Sequence, residues 1–338
     1  MYPLKFKPVF QKRIWGGHRL RSLLHKPVPP DLEREPLGES WEIADLPPGT
    51  VKADSKGAAP DGSISSIVAN GPFAGKNLHT LLPDLGLGAL RHFPLLVKFL
   101  DAQQDLSVQV HPDAAYCRTH PDAHLKCEAW YVLHAEPGAR IYKGLKPGVT
   151  RAQFAAALEA GSVEPLLQAI RVRPGDCHYL QSGTVHALGA GILAAEVQTP
   201  SDTTFRVFDW NRLAPDGKPR ALHVKEALDC IDFAPPTVAP IPQGDRAGTA
   251  TRLVSSDHFT LDRVELAPAR QQRIPPGLAI WIILEGQGVI AADGYPPTAF
   301  ARGDTLLLPA SMKNPALKTI AKCTWLEARV PAAAASVT

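Results

Sequence analysis

Thirty-three prolines and 26 glycines are spread along this 338-residue chain rather than gathered into one segment. Proline removes a backbone donor and glycine weakens a helix interior, so at that density long helices have little room. The two residue types punctuate many short elements, and the chain reads as β-rich. Hydrophobic residues at 45% and charged residues at 20% supply surface for large cores and exclude global disorder. The length fits about two domains. Lys and Arg total 36 against 33 Asp and Glu, a net charge of +3, which argues against nucleic acid as the partner. No run of about 18 uncharged apolar residues occurs, so no membrane span is expected. The N-terminal MYPLKFKPVFQKRIW has neither the apolar run nor the small-residue site of a secretory signal. Cys117, Cys127, Cys177, Cys230 and Cys323 are odd in number and widely spaced, without a CxxC. Free thiols in a cytoplasmic protein are expected.

Residues 4–10 and 38–45 read as short strands, and Leu95–Leu100 and Leu106–His111 as two extended runs joined by a polar turn. Further strands are expected at 126–134, 139–142, 177–181, 192–199 and 203–208. Between them, Thr150 caps a run of good helix formers that stops at Gly161, with another helical turn near Val163. Leu222–Ile231 reads as a second helix, with Leu222, Leu228 and Ile231 as its core contacts. The Pro-rich APPTVAPIPQG that follows is the best linker in the chain, and the final AAAASVT is expected to fray. Beyond residue 250 short strands return at 259–266, 279–284, 288–292, 304–308 and 324–328. Two segments echo each other: Arg-Pro-Gly-Asp at 173–176 and Ala-Arg-Gly-Asp at 301–304 each open a strand that turns four residues later.

Side chains two apart on a strand share a face. Gln109 and His111 therefore project together, and so do Lys126, Glu128 and Trp130, while Val108, Val110, Cys127, Ala129 and Tyr131 point the other way. With His186, these strands offer Gln109, His111, Glu128 and His186 as nitrogen and oxygen ligands suited to a divalent metal with open positions. Gly175-x5-Gln181-x-Gly183-x2-His186 matches the second cupin signature with glutamine in place of proline. The expected fold is mainly β: two cupin-like (double-stranded β-helix, jelly-roll) domains with a small helical insertion near 148–170. Residues 1–240 form the metal-bearing domain. Residues 241–338, with no His after 258, form a degenerate barrel without metal.

The stretches FPLLVKFLDAQQDLSVQVHPD, KCEAWYVL, PGDCHYLQSGTVHALGAGI and EVQTPSDTTFRVFDWNR, with GESWEIAD and LKFKPVFQKRIWGG before them, resemble the type I mannose-6-phosphate isomerases, especially their shorter bacterial form. The likeness runs from about residue 4 to residue 233. It implies interconversion of mannose 6-phosphate and fructose 6-phosphate through a cis-enediol, with one divalent ion, usually zinc, held by Gln109, His111, Glu128 and His186. It also implies Arg206 and Lys126 as catalytic residues, Lys98 and Ser107 as substrate contacts, and a small anionic sugar phosphate as partner. Lys126 serves as proton carrier if its pKa is depressed, or else as a phosphate contact. Arg206 suits oxyanion or phosphate recognition. Another sugar-phosphate isomerase, a non-catalytic sugar- or metal-binding cupin, and a metal-dependent dioxygenase use similar residues and stay open; Lys126 and Arg206 weigh against the second. Oligomeric state is not readable from the sequence. His120 and His124, separated by a proline, read as a solvated loop, Cys177 and His178 as strand neighbours facing apart, and Trp41 and Trp130 as core or pocket walls.

Overall fold

A computed structural model describes residues 1–50, 57–214, 217–234 and 249–331. Nearly all of its regular structure is antiparallel strand, arranged as two double-sheet barrels. In the first, a six-stranded sheet runs in the order Cys177–Leu180, Glu128–Ala135, Ile192–Gln198, Leu96–Ala102, Val9–Gly17, Leu37–Ile43. It faces a five-stranded sheet ordered Leu167–Arg171, Arg140–Leu145, His186–Leu188, Val108–Val110, Phe205–Phe208. The second barrel pairs a six-stranded sheet, from Leu4–Lys5 to Ala250–Ser255, with a four-stranded one. Each closed double sheet buries its inner faces and leaves few edges to protect.

Burial follows the alternation read from the sequence. Val108 and Val110 are fully buried outside the five-stranded sheet, under the helices Arg151–Glu159 and Val224–Cys230. Ala129 and Tyr131 join Val97, Phe99, Ala195 and Val197 in a core that continues into the second barrel through Phe259, Leu261, Ile280, Ile282 and Leu307. The six-stranded sheet of the first barrel is therefore covered on both faces, and Leu37–Ile43, Leu96–Ala102 and Ile192–Gln198 are buried along their whole length. The helix at 151–159 has the expected start: the Thr150 hydroxyl accepts from Gln153 N while the Gln153 side chain accepts from Thr150 N, a capping box.

The two Gly-Asp segments form the same device in the two barrels. Gly175 N donates to Val132 O and Val132 N to Asp176 O, both at 2.9 Å; Gly303 N and Ile283 N make the same pair of bonds, also at 2.9 Å, with Ile283 O and Asp304 O. In each turn the aspartate accepts from the amide three residues back, Arg173 N at 2.9 Å and Ala301 N at 2.8 Å. In the second barrel the interior is filled by Trp281 against Trp325, ring centroids 4.5 Å apart, with Ile290, Phe300, Leu306 and Leu308 around them.

Several expectations need correction. Residues 4–10 are not one strand: Leu4–Lys5 pairs with Thr305–Leu308 in the second barrel, and the next strand, Val9–Gly17, enters the first barrel after Pro8, which has no amide to continue a ladder. Leu222 is 47% exposed because the helix starts only at Val224; Ala227 and Ile231 face the core and Leu228 packs half-buried beside them. His120 ends a short helix, Ala114–Thr119, and stacks on Tyr116. The strands Ala250–Ser255, Gln271–Arg273, Tyr295–Ala301 and Ala316–Thr319 were not anticipated. The linker from residue 235 onward and the tail at 332–338 lie outside the described residues.

Candidate metal centre and active site

Gln109, His186 and Arg206 form one row across the five-stranded sheet, with Gln109 opposite both of the others. Across the facing sheet a second row runs His178, Trp130, Glu196, Lys98, Trp41, each in register with the next. Directly opposed residues in an antiparallel pair project from the same face, so both rows line the interior of the first barrel. Glu128 stands one pleat further along, opposite Gln198.

Three of the expected ligands converge. His186 Nε2 is 3.2 Å from Glu128 Oε1 and His111 Nε2 is 3.4 Å from Glu128 Oε2, and all three residues are at most 1% exposed. The other ring nitrogens are occupied: His111 Nδ1 lies 3.0 Å from Thr203 O and His186 Nδ1 2.8 Å from Thr184 O. Those contacts turn both Nε2 atoms inward, as second-partner hydrogen bonds do for metal-binding imidazoles. The Gln109 amide sits 3.3 Å from His186 Nε2, and a flip of the amide would present its oxygen. His111 Nε2 and Glu128 Oε1 are buried without a hydrogen-bond partner, and Glu128 Oε2 has only the Lys126 ammonium. Such atoms are costly to leave bare, and two imidazole nitrogens with a carboxylate are a donor set a divalent cation satisfies. Burial, reinforced by the Lys126 charge, lowers the His111 pKa to about 3, so its ring is neutral and can ligate. Glu128 would be raised by burial, yet Lys126 and His111 hold it well below the usual carboxylate range.

The cupin signature's missing proline is accommodated locally. Thr184 N donates to Gln181 O at 3.0 Å, Gly183 takes a φ of 84°, and Gly183 N donates to His111 O at 2.9 Å. The turn that places His186 thus also grips His111.

Cations ring this centre. Lys126 Nζ lies 2.9 Å from Glu128 Oε2 and 3.9 Å from Glu196 Oε1; burial alone would lower its pKa, but those two carboxylates raise it, so the ammonium is held protonated. Lys98 is buried over the Trp41 ring at 4.7 Å, with Asp202 Oδ1 at 3.8 Å. Arg206 Nε donates to Ser107 Oγ at 3.3 Å and Nη1 to Ala221 O at 3.0 Å, so Ser107 positions the guanidinium. Trp130 packs edge-on against His186, a pocket wall as expected.

Glu196 and Gln198 were missed from the sequence. Glu196 is 3% exposed, and burial together with Glu128 raises its pKa to about 8. Gln198 Oε1 is buried and unpartnered opposite Glu128. His178, set aside in the sequence, also faces this interior, with Nε2 unpartnered.

A two-barrel cupin with a buried imidazole–carboxylate cluster in one barrel is the class that fold and site define. The model of the phosphomannose isomerase type I catalytic domain matches residues 3–138. The mannose-6-phosphate isomerase of Streptococcus mutans serotype c is 36% identical over 318 residues, spanning 92% of this chain and 94% of that one. The crystal structure of the mannose 6-phosphate isomerase from Bacillus subtilis superposes with a TM-score of 0.83 at 30% identity, covering 98% of this chain and 100% of that one. A mannose 6-phosphate isomerase bound with zinc and yttrium shares the fold at 17% identity, with a TM-score of 0.69 and coverage of 98% and 100%. The chain belongs to the type I phosphomannose isomerases.

Proposed function

We infer that this protein interconverts mannose 6-phosphate and fructose 6-phosphate, and that Gln109, His111, Glu128 and His186 hold the one divalent ion this requires, zinc by the nature of the donors. The observation that carries this reading is the convergence of His111, His186 and Glu128 on one buried point, with His111 Nε2 left without a hydrogen bond and Lys126 beside them. When bound, the ion supplies an electrophile for the substrate oxygens at C1 and C2.

The chain's own residues do the rest. Moving a proton between C1 and C2 through a cis-enediol needs a carrier near its midpoint at working pH. Lys126 Nζ lies between Glu128 and Glu196, and its raised pKa makes it a fixed cation for the substrate phosphate rather than the proton carrier a depressed pKa would have allowed. Glu196, buried beside it, is the carboxyl placed to take or return the proton. Arg206, fixed by Ser107 and Ala221, keeps a permanent charge for the developing oxyanion or the phosphate. Lys98 adds a buried cation for the anionic substrate. A non-catalytic binding module would not need this buried lysine and carboxyl beside the cluster.

A coupled assay tests the assignment. Metal-loaded protein is expected to form fructose 6-phosphate from mannose 6-phosphate, to stop after chelation, and to recover on adding Zn2+. Absence of metal-dependent product sinks the reading. Arg206→Ala is expected to keep its metal while kcat falls by about 10²–10³-fold; full turnover would remove Arg206 from the mechanism.

We further propose that the catalytic unit lies within residues 1–240, apart from the strand Leu4–Lys5 lent to the second barrel, and that 241–338 form a metal-free barrel that supports it. The filled Trp281–Trp325 interior favours this division. No described helix is long and apolar enough to cross a membrane, and the five cysteines are free, which suits a cytoplasmic enzyme.

A further inference from the structure

A second set of side chains has the same form as the catalytic cluster and lies outside it. Asp45 belongs to the short strand Asp45–Leu46, His79 opens the single 3-10 turn His79–Leu81, and His92 precedes Phe93 on the way into Leu96–Ala102. His79 Nδ1 is 3.2 Å and His92 Nδ1 3.6 Å from one oxygen, Asp45 Oδ2, and the three ligand atoms lie within 4.8 Å of one another. Two donors each about 2.1 Å from a tetrahedral ion stand about 3.4 Å apart. The corresponding distances in the catalytic cluster are 3.2 and 3.4 Å.

Ordinary hydrogen bonding accounts for only part of this arrangement. Asp45 Oδ2 accepts from Phe93 N at 2.9 Å, and His79 Nδ1 is placed to bond the same oxygen. His92 Nδ1 is a buried atom without a hydrogen-bond partner although it points at that carboxylate. A cation shared by the three would satisfy both nitrogens at once.

The ligands are also held by contacts that need no ion. Asp45 pairs with Ser65, His79 N donates to Ser65 Oγ at 2.9 Å, and Ala44 N donates to Ser66 Oγ at 2.9 Å. Such support is what keeps a metal site in its productive geometry. The Asp45 side chain is 3% exposed, that of His92 27% and that of His79 50%, which leaves a path for entry and room for water as a further ligand.

We propose that Asp45, His79 and His92 form a second, structural site for a divalent ion of the zinc class. Asp45 follows Leu37–Ile43 and His92 precedes Leu96–Ala102, and these two strands pair with each other in the catalytic sheet. The ion would close the long excursion between them, next to the strand that carries Lys98. The site stands apart from the isomerase reading, since none of its three residues takes part in the proton chemistry.

Metal content decides it. Stripped full-length protein is loaded with Zn2+ or Co2+, freed of excess by gel filtration, and assayed for bound metal. Wild type is expected to hold two equivalents, and the His79→Gln/His92→Gln variant one, with isomerase turnover within twofold of wild type. Bound Co2+ should lose about half of its visible absorption in the variant. His79→Gln alone, at a half-exposed position, should weaken the second equivalent at least tenfold. One equivalent in wild type, or a second equivalent retained as tightly by either variant, overturns the proposal.

Discussion

At the scale of single residues, the grouping of Gln109, His111 and His186 was legible because strand geometry forces Gln109 and His111 onto one face and because a spaced motif marks His186. Glu196 was not, because Ile192–Gln198 is buried on both faces and its alternation disappears among Leu, Ala and Val. Asp45, His79 and His92 were invisible for another reason: only the folded excursion brings them together. Glu39 shows what such a buried charge contributes. Its carboxylate accepts from Arg13 Nε at 2.8 Å and from Trp41 Nε1 at 2.5 Å. Burial would raise its pKa, but Arg13 and Lys98 hold it at about 2 against an ordinary 4.5. A depressed carboxylate stabilises the fold above its unfolded pKa, and that stability is lost as pH falls from 4.5 towards 2. The difference corresponds to about 3 kcal/mol at neutral pH. Glu39→Gln should therefore lower the urea midpoint at pH 7 and flatten the loss of stability between pH 4.5 and 2. An unchanged acid limb would refute it.

At the scale of elements, the strands missed in the second half have physical reasons to be obscure. Tyr295–Ala301 contains Pro296 and Pro297, which a sheet tolerates at its edge, and it is an edge strand. Gln271–Arg273 is the opposite edge and wholly exposed, so nothing apolar marks it. The repeated Gly-Asp turn, by contrast, was readable from four residues. Its two copies should respond differently to substitution. Gly175 and Gly303 have φ of 98° and 86°, where a side chain is strained, but a Cβ on Gly175 would meet nothing within 4 Å. On Gly303 it would run into the Leu24 carbonyl oxygen, beside the oxygen that accepts from Lys26 Nζ at 2.6 Å. Gly175→Ala should cost about 1 kcal/mol and Gly303→Ala at least about 3 kcal/mol, measured by urea unfolding. Equal costs would show that the two turns are not differently packed.

At the scale of the whole molecule, the two barrels share one core and one stitch. Leu4 pairs with Leu307, Lys5 Nζ meets Asp304 Oδ2 at 2.7 Å, and Tyr2, Leu4 and Phe6 are buried in the shared core. A two-domain reading of the length was sound about the number of barrels but blind to this exchange, since no local pattern links residue 4 to residue 307. Calorimetry should show a single thermal transition, and Leu4→Ala should lower it as a whole by about 2–5 kcal/mol of stability. Two separate transitions in wild type would show that the barrels melt independently. The same stitch sets a timetable for synthesis. Leu4–Lys5 pairs with a strand about 300 residues further along the chain, and at about 5–20 residues per second that partner is made on the order of 15–60 s later. For that interval the segment can dock only on its nearer neighbours, where Phe6 bridges Val68 and Tyr2 reaches Asn70 and Phe73, while the edge of Leu4 that meets Leu307 waits open.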